Sequence, residues 1–418
     1  MPQCTFRRVK GVQPSVYRKH GYFPFDKGSP SRSFGFYSVY SLLGRYSTQA
    51  VAILASTSVA MLASAASLEE QEESGLTLYG TIDIGMATTR ASGESAEKGL
   101  LSGGQTDSLW GLRGREPLSE DSYAMFTLES GIDLANGRRE DPDRLFNYQS
   151  WLGLGDQALG ELRIGRQNTV GQAFVSEIEV SSWKDFGMGA LMRASDNYQV
   201  PNQISWRSPQ WAGTQIGASY SFDESEADTH TRSYSLAARY ESGPWLVAAS
   251  FEQLSQVPVA VSGGYRPNAW QLAGSYDLGV ARVAAGWSRQ SNGFVGRNGG
   301  DTGDGAAQLD NPGLQGLGPI EFVDGGRLDA MYLGTAIPFG EGKFQLQWSM
   351  ARPDWVWQET GAQAKLTQVM SVGYVHTLST RTSLYAFAAR GRGYSMEDVV
   401  SAEAPNVQRI AVGLTHNF

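Results

Sequence analysis

From Leu76 to the last residue, the chain is written in segments of about ten residues in which apolar and polar side chains alternate. The last segment is the clearest. Ile410, Val412, Leu414, His416 and Phe418 fall on one face, and Arg409, Ala411, Gly413, Thr415 and Asn417 on the other. A period of two belongs to a strand with one oily and one wet side. Read this way, the sequence places strands near 76–86, 107–115, 121–133, 148–155, 160–167, 202–208, 214–223, 231–241, 245–254, 268–278, 280–290, 327–337, 342–351, 366–376, 381–392 and 408–418, sixteen in all.

The connections also alternate. Tight turns recur at 116–120, 156–159, 209–213, 242–244, 277–279, 338–342 and 378–380, and longer connections lie at 135–146, 169–201, 255–267, 291–326 and 393–407. A soluble β-sandwich alternates its side chains too, but it has no reason to alternate its loop lengths. A membrane barrel has short turns at one end and long loops at the other, and closure leaves no strand edge unpaired in lipid. The expected fold is all-β, a 16-stranded antiparallel transmembrane β-barrel spanning residues 67–418.

The residues before the barrel differ in composition. Residues 50–66 are apolar and largely small, and they read as the hydrophobic region of a secretory signal with a cleavage site such as Ala63-Ser64-Ala65. A transmembrane anchor is the competing reading, but it calls for ~20 strongly apolar residues. Residues 1–49 form a basic leader of net charge +7, longer than a signal needs, and we expect translation to begin nearer the apolar run. Without residues 1–66, the chain's net charge of −8 becomes −15. So acidic a protein is not expected to bind nucleic acid. Cys4, the single cysteine, lies in the leader, which leaves the mature chain neither disulfide nor thiol site, and no Leu-x-x-Cys lipoprotein signature follows.

In order along the chain, Leu78-Tyr79-Gly80-Thr81-Ile82-Asp83, Gly111-Leu112-Arg113-Gly114, Gly160-Glu161-Leu162-Arg163-Ile164-Gly165-Arg166-Gln167, Asn202-Gln203-Ile204-Ser205-Trp206-Arg207-Ser208-Pro209, Val372-Gly373-Tyr374-Val375-His376-Thr377 and Gly413-Leu414-Thr415-His416-Asn417-Phe418 resemble one family. It is the trimeric, sixteen-stranded general porins of Gram-negative outer membranes, in the branch of Neisseria, Bordetella, Burkholderia and Comamonas. The resemblance covers residues 76–418. It implies a homotrimer among outer-membrane lipid and lipopolysaccharide, passing ions and small hydrophilic solutes. It also implies a loop after the fifth strand, residues 169–201, folded into the lumen as a constriction and carrying Glu177, Glu179, Lys184, Asp185 and Arg193. Alternation puts Glu161 and Arg163 on the face opposite Leu162 and Ile164, which makes Arg163 the expected wall cation. Solvated loop charges or packing salt bridges are the alternative for each of these residues.

The chain departs from its relatives where their eyelet arginines fall. Leu109 stands in one such place, Tyr148 in a second and Gln199 in a third. With the mature charge, this argues against strong anion selectivity and allows a narrower, aromatic-lined passage. Most of the eleven tryptophans are assigned to interfacial girdles. Trp183, in the expected loop, is the one read as a solute contact.

No cofactor or metal is expected. The histidines of the mature chain, His230, His376 and His416, fall in different strands by this map, and an enzyme needs a convergent nucleophile, base or metal cluster. Gly299-Gly300-Asp301-Thr302-Gly303-Asp304-Gly305 suggests either a calcium turn or a flexible surface loop, the second favoured because no nine-residue repeat is present. The leading function is passive diffusion through a water-filled channel. A substrate-selective channel, or an adhesin or phage receptor acting through residues 292–326, are the alternatives.

Overall fold

The structure is a computed structural model describing residues 75–192, 199–222, 232–255, 264–294, 319–396 and 405–418. The leader, the signal region, Arg193, His230 and the Gly299 to Gly305 run lie outside the described residues.

Among the described residues the chain forms one antiparallel sheet of eighteen strands. The first seven are β1 (Gly75–Ala91), β2 (Glu97–Ser102), β3 (Leu109–Pro117), β4 (Ser122–Asp133), β5 (Arg138–Arg139), β6 (Gln149–Asp156) and β7 (Gly160–Gln167). Then come β8 (Val200–Arg207), β9 (Thr214–Ser221), β10 (Arg232–Ser242), β11 (Trp245–Ser255), β12 (Asn268–Asp277) and β13 (Arg282–Ser291). The last five are β14 (Arg327–Phe339), β15 (Gly342–Pro353), β16 (Thr367–Ser379), β17 (Thr382–Arg392) and β18 (Asn406–Asn417). Two of them are additions to the wall. The short β2 lines up along the far half of β1, Ile84↔Ser102 to Thr89↔Glu97, and β5 is a two-residue ladder on β4.

The other sixteen close into a barrel, one for each expected strand. Closure falls on β1, which is long enough to serve two partners. Its first half pairs with β3, Gly75↔Arg115 to Thr81↔Leu109, and the rest with β18, Thr81↔Asn417 to Ala91↔Val407. Neither β2 nor β5 was expected, because β2 is short and mixed in polarity and β5 is a local loop ladder.

The alternation has the sense that lipid requires. On β18, Ile410 and Val412 are 64% and 48% exposed, whereas Arg409 and Ala411 on the opposite face are 8% and 1% exposed. Leu78, Leu152, Leu236, Leu272, Leu333 and Met370 continue the outward apolar surface. Near the short-turn end, the rings of Phe339, Phe344 and Tyr374 cluster, as in an interfacial girdle. His376 stacks on Tyr374, and His416 bonds to Thr382 Oγ1, so these two histidines sit in separate settings.

The hydrophobic core is made by a segment of the β7–β8 connection lying on inward-facing side chains. It holds helix α1 (Val170–Val175), a 3-10 turn (Ser176–Ile178) and helix α2 (Gly189–Met192). Thr169 caps α1, its hydroxyl accepting from Gln172 N at 3.3 Å. Val170, Phe174, Val175 and Ile178 share a buried cluster with Ala237, Ala248, Ala273 and Ala284 of β10–β13. Alanines at those wall positions leave the volume that the segment fills. Further along, Trp183 stacks on Phe387 with centroids 5.0 Å apart, and Phe186 meets Tyr394 edge-on at 6.0 Å. Each such large side chain contributes about 1.5–3 kcal/mol by leaving water.

A buried connection must also satisfy its backbone polar groups. Here wall side chains do so. Val180 N donates to Tyr332 Oη at 3.1 Å, and Ser181 O accepts from Gln347 Nε2 at 2.7 Å. Phe186 O accepts from Ser371 Oγ at 3.1 Å, and Asp185 O accepts from the Tyr394 hydroxyl at 2.5 Å.

Candidate functional site

The tip of this segment is tied to the seam where the barrel closes. Asp83 of β1 is fully buried, and its carboxylate accepts from Gly104 N, Gln105 N and Thr106 N at 2.9–3.1 Å. The hydroxyls of Tyr385 and Thr415 donate to it as well, each at 2.8 Å. This fixes the turn after β2, and the turn holds the segment: Lys184 N donates to Gly104 O at 3.0 Å, and Lys184 Nζ to Ser102 O at 3.1 Å. On the other side, Arg409 Nη1 pairs with Asp185 Oδ2 at 2.7 Å, with side chains 9% and 8% exposed.

The segment's contacts run from β8 to β18 and reach the turn after β2, which leaves the inner face of the first half of β1 and of β3, β4, β6 and β7 as an open cavity wall. Arginine, aromatic and glutamate side chains interleave there. Arg113 lies 5.3 Å from the centre of the Tyr79 ring, Arg115 3.6 Å from that of Tyr123, and Arg163 4.4 Å from that of Trp151. Tyr79 Oη donates to Glu129 at 2.6 Å, and Tyr123 Oη donates to Glu161 at 3.1 Å. Arg163 closes a salt bridge to Glu161, and Trp151 Nε1 donates to Gln149 at 2.8 Å.

Charged residues continue from this wall around the short-turn half of the lumen. Arg207 of β8 is within electrostatic reach of Glu161, Arg163, Glu177 and Arg239. Arg239 Nη1 pairs with Glu177 at 2.6 Å and also bridges to Glu241, while Arg282 Nη2 donates to Glu177 O at 2.7 Å.

The sequence-derived candidates divide into three groups. Glu161, Arg163 and Glu177 join the charged belt. Lys184 and Asp185 serve the attachment of the segment; Glu179 is half-buried beside Gly187. Trp183 is fully buried, so its ring belongs to the packing and not to an exposed solute contact; the flat stack on Phe387 and the close approach to Gly373 leave it no open face. The inward tryptophan of the open wall is Trp151 instead. Leu109, paired with Thr81 and Gly131, and Tyr148, whose N–H donates to Glu129 O at 3.3 Å, lie toward the long-loop end. Gln199 lies there too, at the start of β8, its N–H donating to Asn168 Oδ1 at 3.0 Å.

The arginines absent at those three positions do not leave the interior poor in cations. Arg113, Arg115, Arg163, Arg207, Arg239 and Arg282 occupy the belt, and acidic residues such as Glu116, Glu120, Asp121, Asp277 and Glu341 are exposed in and beside the short turns. Parity was the signal that could have found them: Arg113 and Arg115 share the face of Gly111, and Arg239 that of Glu241.

The Gram-negative porin family matches the chain over residues 50–394. An outer membrane porin protein of Bordetella pertussis is 29% identical over 380 residues, covering 83% of this chain and 95% of its own length. Outer membrane porin protein 32 of Delftia acidovorans is 29% identical over 343 residues, 78% of this chain and 86% of that protein. Among solved structures, an anion-selective porin from Comamonas acidovorans superposes with a TM-score of 0.63 at 23% identity, covering 83% of this chain and all of the other. The chain is a member of the Gram-negative porin family, an outer-membrane channel for passive diffusion.

Proposed function

We propose that ions and small hydrophilic solutes cross between the 169–192 segment and the wall of β1, β3, β4, β6 and β7. The segment narrows the lumen, and the belt of arginines and glutamates filters by charge. The observation that carries this is the asymmetry of the interior: one half is filled by the segment, and the other is lined by Arg113, Arg115, Arg163, Glu129 and Glu161. We read no catalytic role and no cofactor. Homotrimers among lipid and lipopolysaccharide are part of the proposal, as are residues 50–66 as an export signal and residues 1–49 as a leader ahead of it.

The belt sets the expected selectivity. Six arginines face Glu129, Glu161, Glu177 and Glu241, so the local balance is positive although the mature chain is acidic. Selectivity follows the charges beside the permeating ion, because charges more than ~8–10 Å away are screened. A modest anion preference therefore replaces the leaning that the global charge suggests. The test is single-channel conductance and reversal potential in a planar bilayer under a potassium chloride gradient. A large open conductance with a mild anion preference supports the reading, and absence of conductance from folded protein overturns it.

A further inference from the structure

The open wall repeats one unit that charge filtering alone does not call for. Each of three arginines lies over an aromatic ring, and each ring comes from a strand adjacent to that of its arginine: Tyr79 with Arg113, Tyr123 with Arg115, Trp151 with Arg163. The two tyrosine rings lie along the wall because the neighbouring strand offers glycine beneath them. A Cβ on Gly155 would come within 2.2 Å of the Tyr123 ring, and one on Gly111 within 2.9 Å of the Tyr79 ring. Polar tips hold the rings from turning, since the two tyrosine hydroxyls donate to Glu129 and Glu161, and the indole N–H to Gln149.

A field that merely attracts anions is supplied as well by lysine, a hydrated point charge. Arginine differs in having a flat face that stacks and a planar edge that grips a carboxylate through two parallel N–H bonds. All three positions use arginine, all three guanidinium carbons lie 3.6–5.3 Å from a ring centre, and all line the same cavity. We propose that this strip is a binding track for planar carboxylates, arene carboxylates foremost. At Arg163, whose Nε and Nη2 already donate to Glu161, the carboxylate would compete with that side chain for guanidinium N–H groups, while the flat ring joins the arginine–aromatic pair. This rests on the channel reading and sharpens it, since it names a solute class favoured by shape as well as charge.

The test compares block of potassium chloride current by benzoate and by cyclohexanecarboxylate, which match in charge and nearly in size but differ in flatness. The protein is extracted from outer membranes and studied as single channels. Benzoate should half-block at a concentration about fivefold lower, the size of an exposed stacking preference. In Tyr123→Leu/Trp151→Leu the two acids should converge, with current through the variant showing that the barrel has assembled. Arg115→Lys keeps the charge with a smaller change of packing, and should reduce the difference while both acids still block. Equal block of the unaltered channel overturns the proposal and leaves the channel reading standing, as does a preference for benzoate that survives these changes. Absence of any chloride current from folded protein overturns both.

Discussion

The two halves of the barrel interior are built from the same alternating strands and differ in what alternation turns inward. On β10–β18 the inward face carries a series of alanines, Ala237, Ala248, Ala273, Ala284, Ala330 and Ala351, set among serines and glutamines, and the 169–192 segment lies on them. On β1, β3, β4, β6 and β7 they are arginine, glutamate and large aromatics, and the segment stays away. The wall thus selects its own covering. Apolar shelves gain from being roofed, whereas charged side chains lose hydration if they are, unless each finds a partner. The proposed channel needs both halves, one to anchor the segment and one to remain wet.

Breaking the anchored half should have the largest consequence. Trp183→Ala removes a fully buried indole from between Phe387, Tyr385 and Gly373, and such truncations cost about 3–5 kcal/mol. The expected outcome is a lower temperature for loss of the folded form on gels, and larger, noisier single-channel currents. Unchanged currents would show that the segment does not limit flow.

Next comes the buried ion pair. Arg409→Met leaves Asp185 inside the lumen with its guanidinium partner gone, and half of a broken buried pair typically costs about 3–5 kcal/mol, lessened here because the site borders water. Asp185→Asn/Arg409→Met removes both charges and should recover part of the loss. The comparison is read as unfolding midpoints of the three proteins in urea. A double variant no better than the single would mean that packing, not charge, fixes the tip.

On the wet half, the expected effect is on selectivity more than stability. Arg113→Gln/Arg115→Gln lowers the positive charge of the belt by two, each worth about 1 kcal/mol to an ion ~4 Å away in water. The reversal potential should move toward cations, and the shift should shrink as salt rises. A stationary reversal potential would remove these arginines from the path.

Much of this was legible in the chain itself. Sixteen strands and their lipid faces follow from a period of two, because only register with lipid outside satisfies Leu78, Leu152 and Ile410 together. Glu161 and Arg163 follow from the same parity. The packing of Trp183 does not, since an aromatic in a loop reads equally as a ligand contact or as a roof beam until Gly373 and Phe387 are brought beneath it by strands some two hundred residues away in sequence. Nor does the basic belt follow from residue-by-residue comparison at Leu109, Tyr148 and Gln199. Charge in a lumen can move along a strand in steps of two residues and still face the water, so an empty position says little about its neighbours.

The smallest effect belongs to the exposed counterpart of the Asp185–Arg409 pair, which lies in the loop entering β6. Burial alone would raise the Asp141 carboxyl. Backbone N–H groups of Asp143 at 2.8 Å and Arg144 at 3.1 Å, with the Arg144 guanidinium at 3.0 Å, outweigh it and hold the group below the usual carboxylate range. A carboxyl whose folded value is depressed stabilises its surroundings above the ordinary aspartate value of about 4, and loses that contribution as pH falls through the lowered one. Because Arg144 is 52% exposed, the contribution is a few tenths of a kcal/mol, in the range of surface pairs. Hydrogen exchange of residues 138–148 should therefore be slightly faster in Asp141→Asn than in the unaltered protein at pH 7, with the difference vanishing in acid. The same two ion types, one pair roofed in the lumen and one in water, would then differ by an order of magnitude in their hold on the chain. A difference of equal size at both sites would mean that burial is not what gives the Asp185–Arg409 pair its strength.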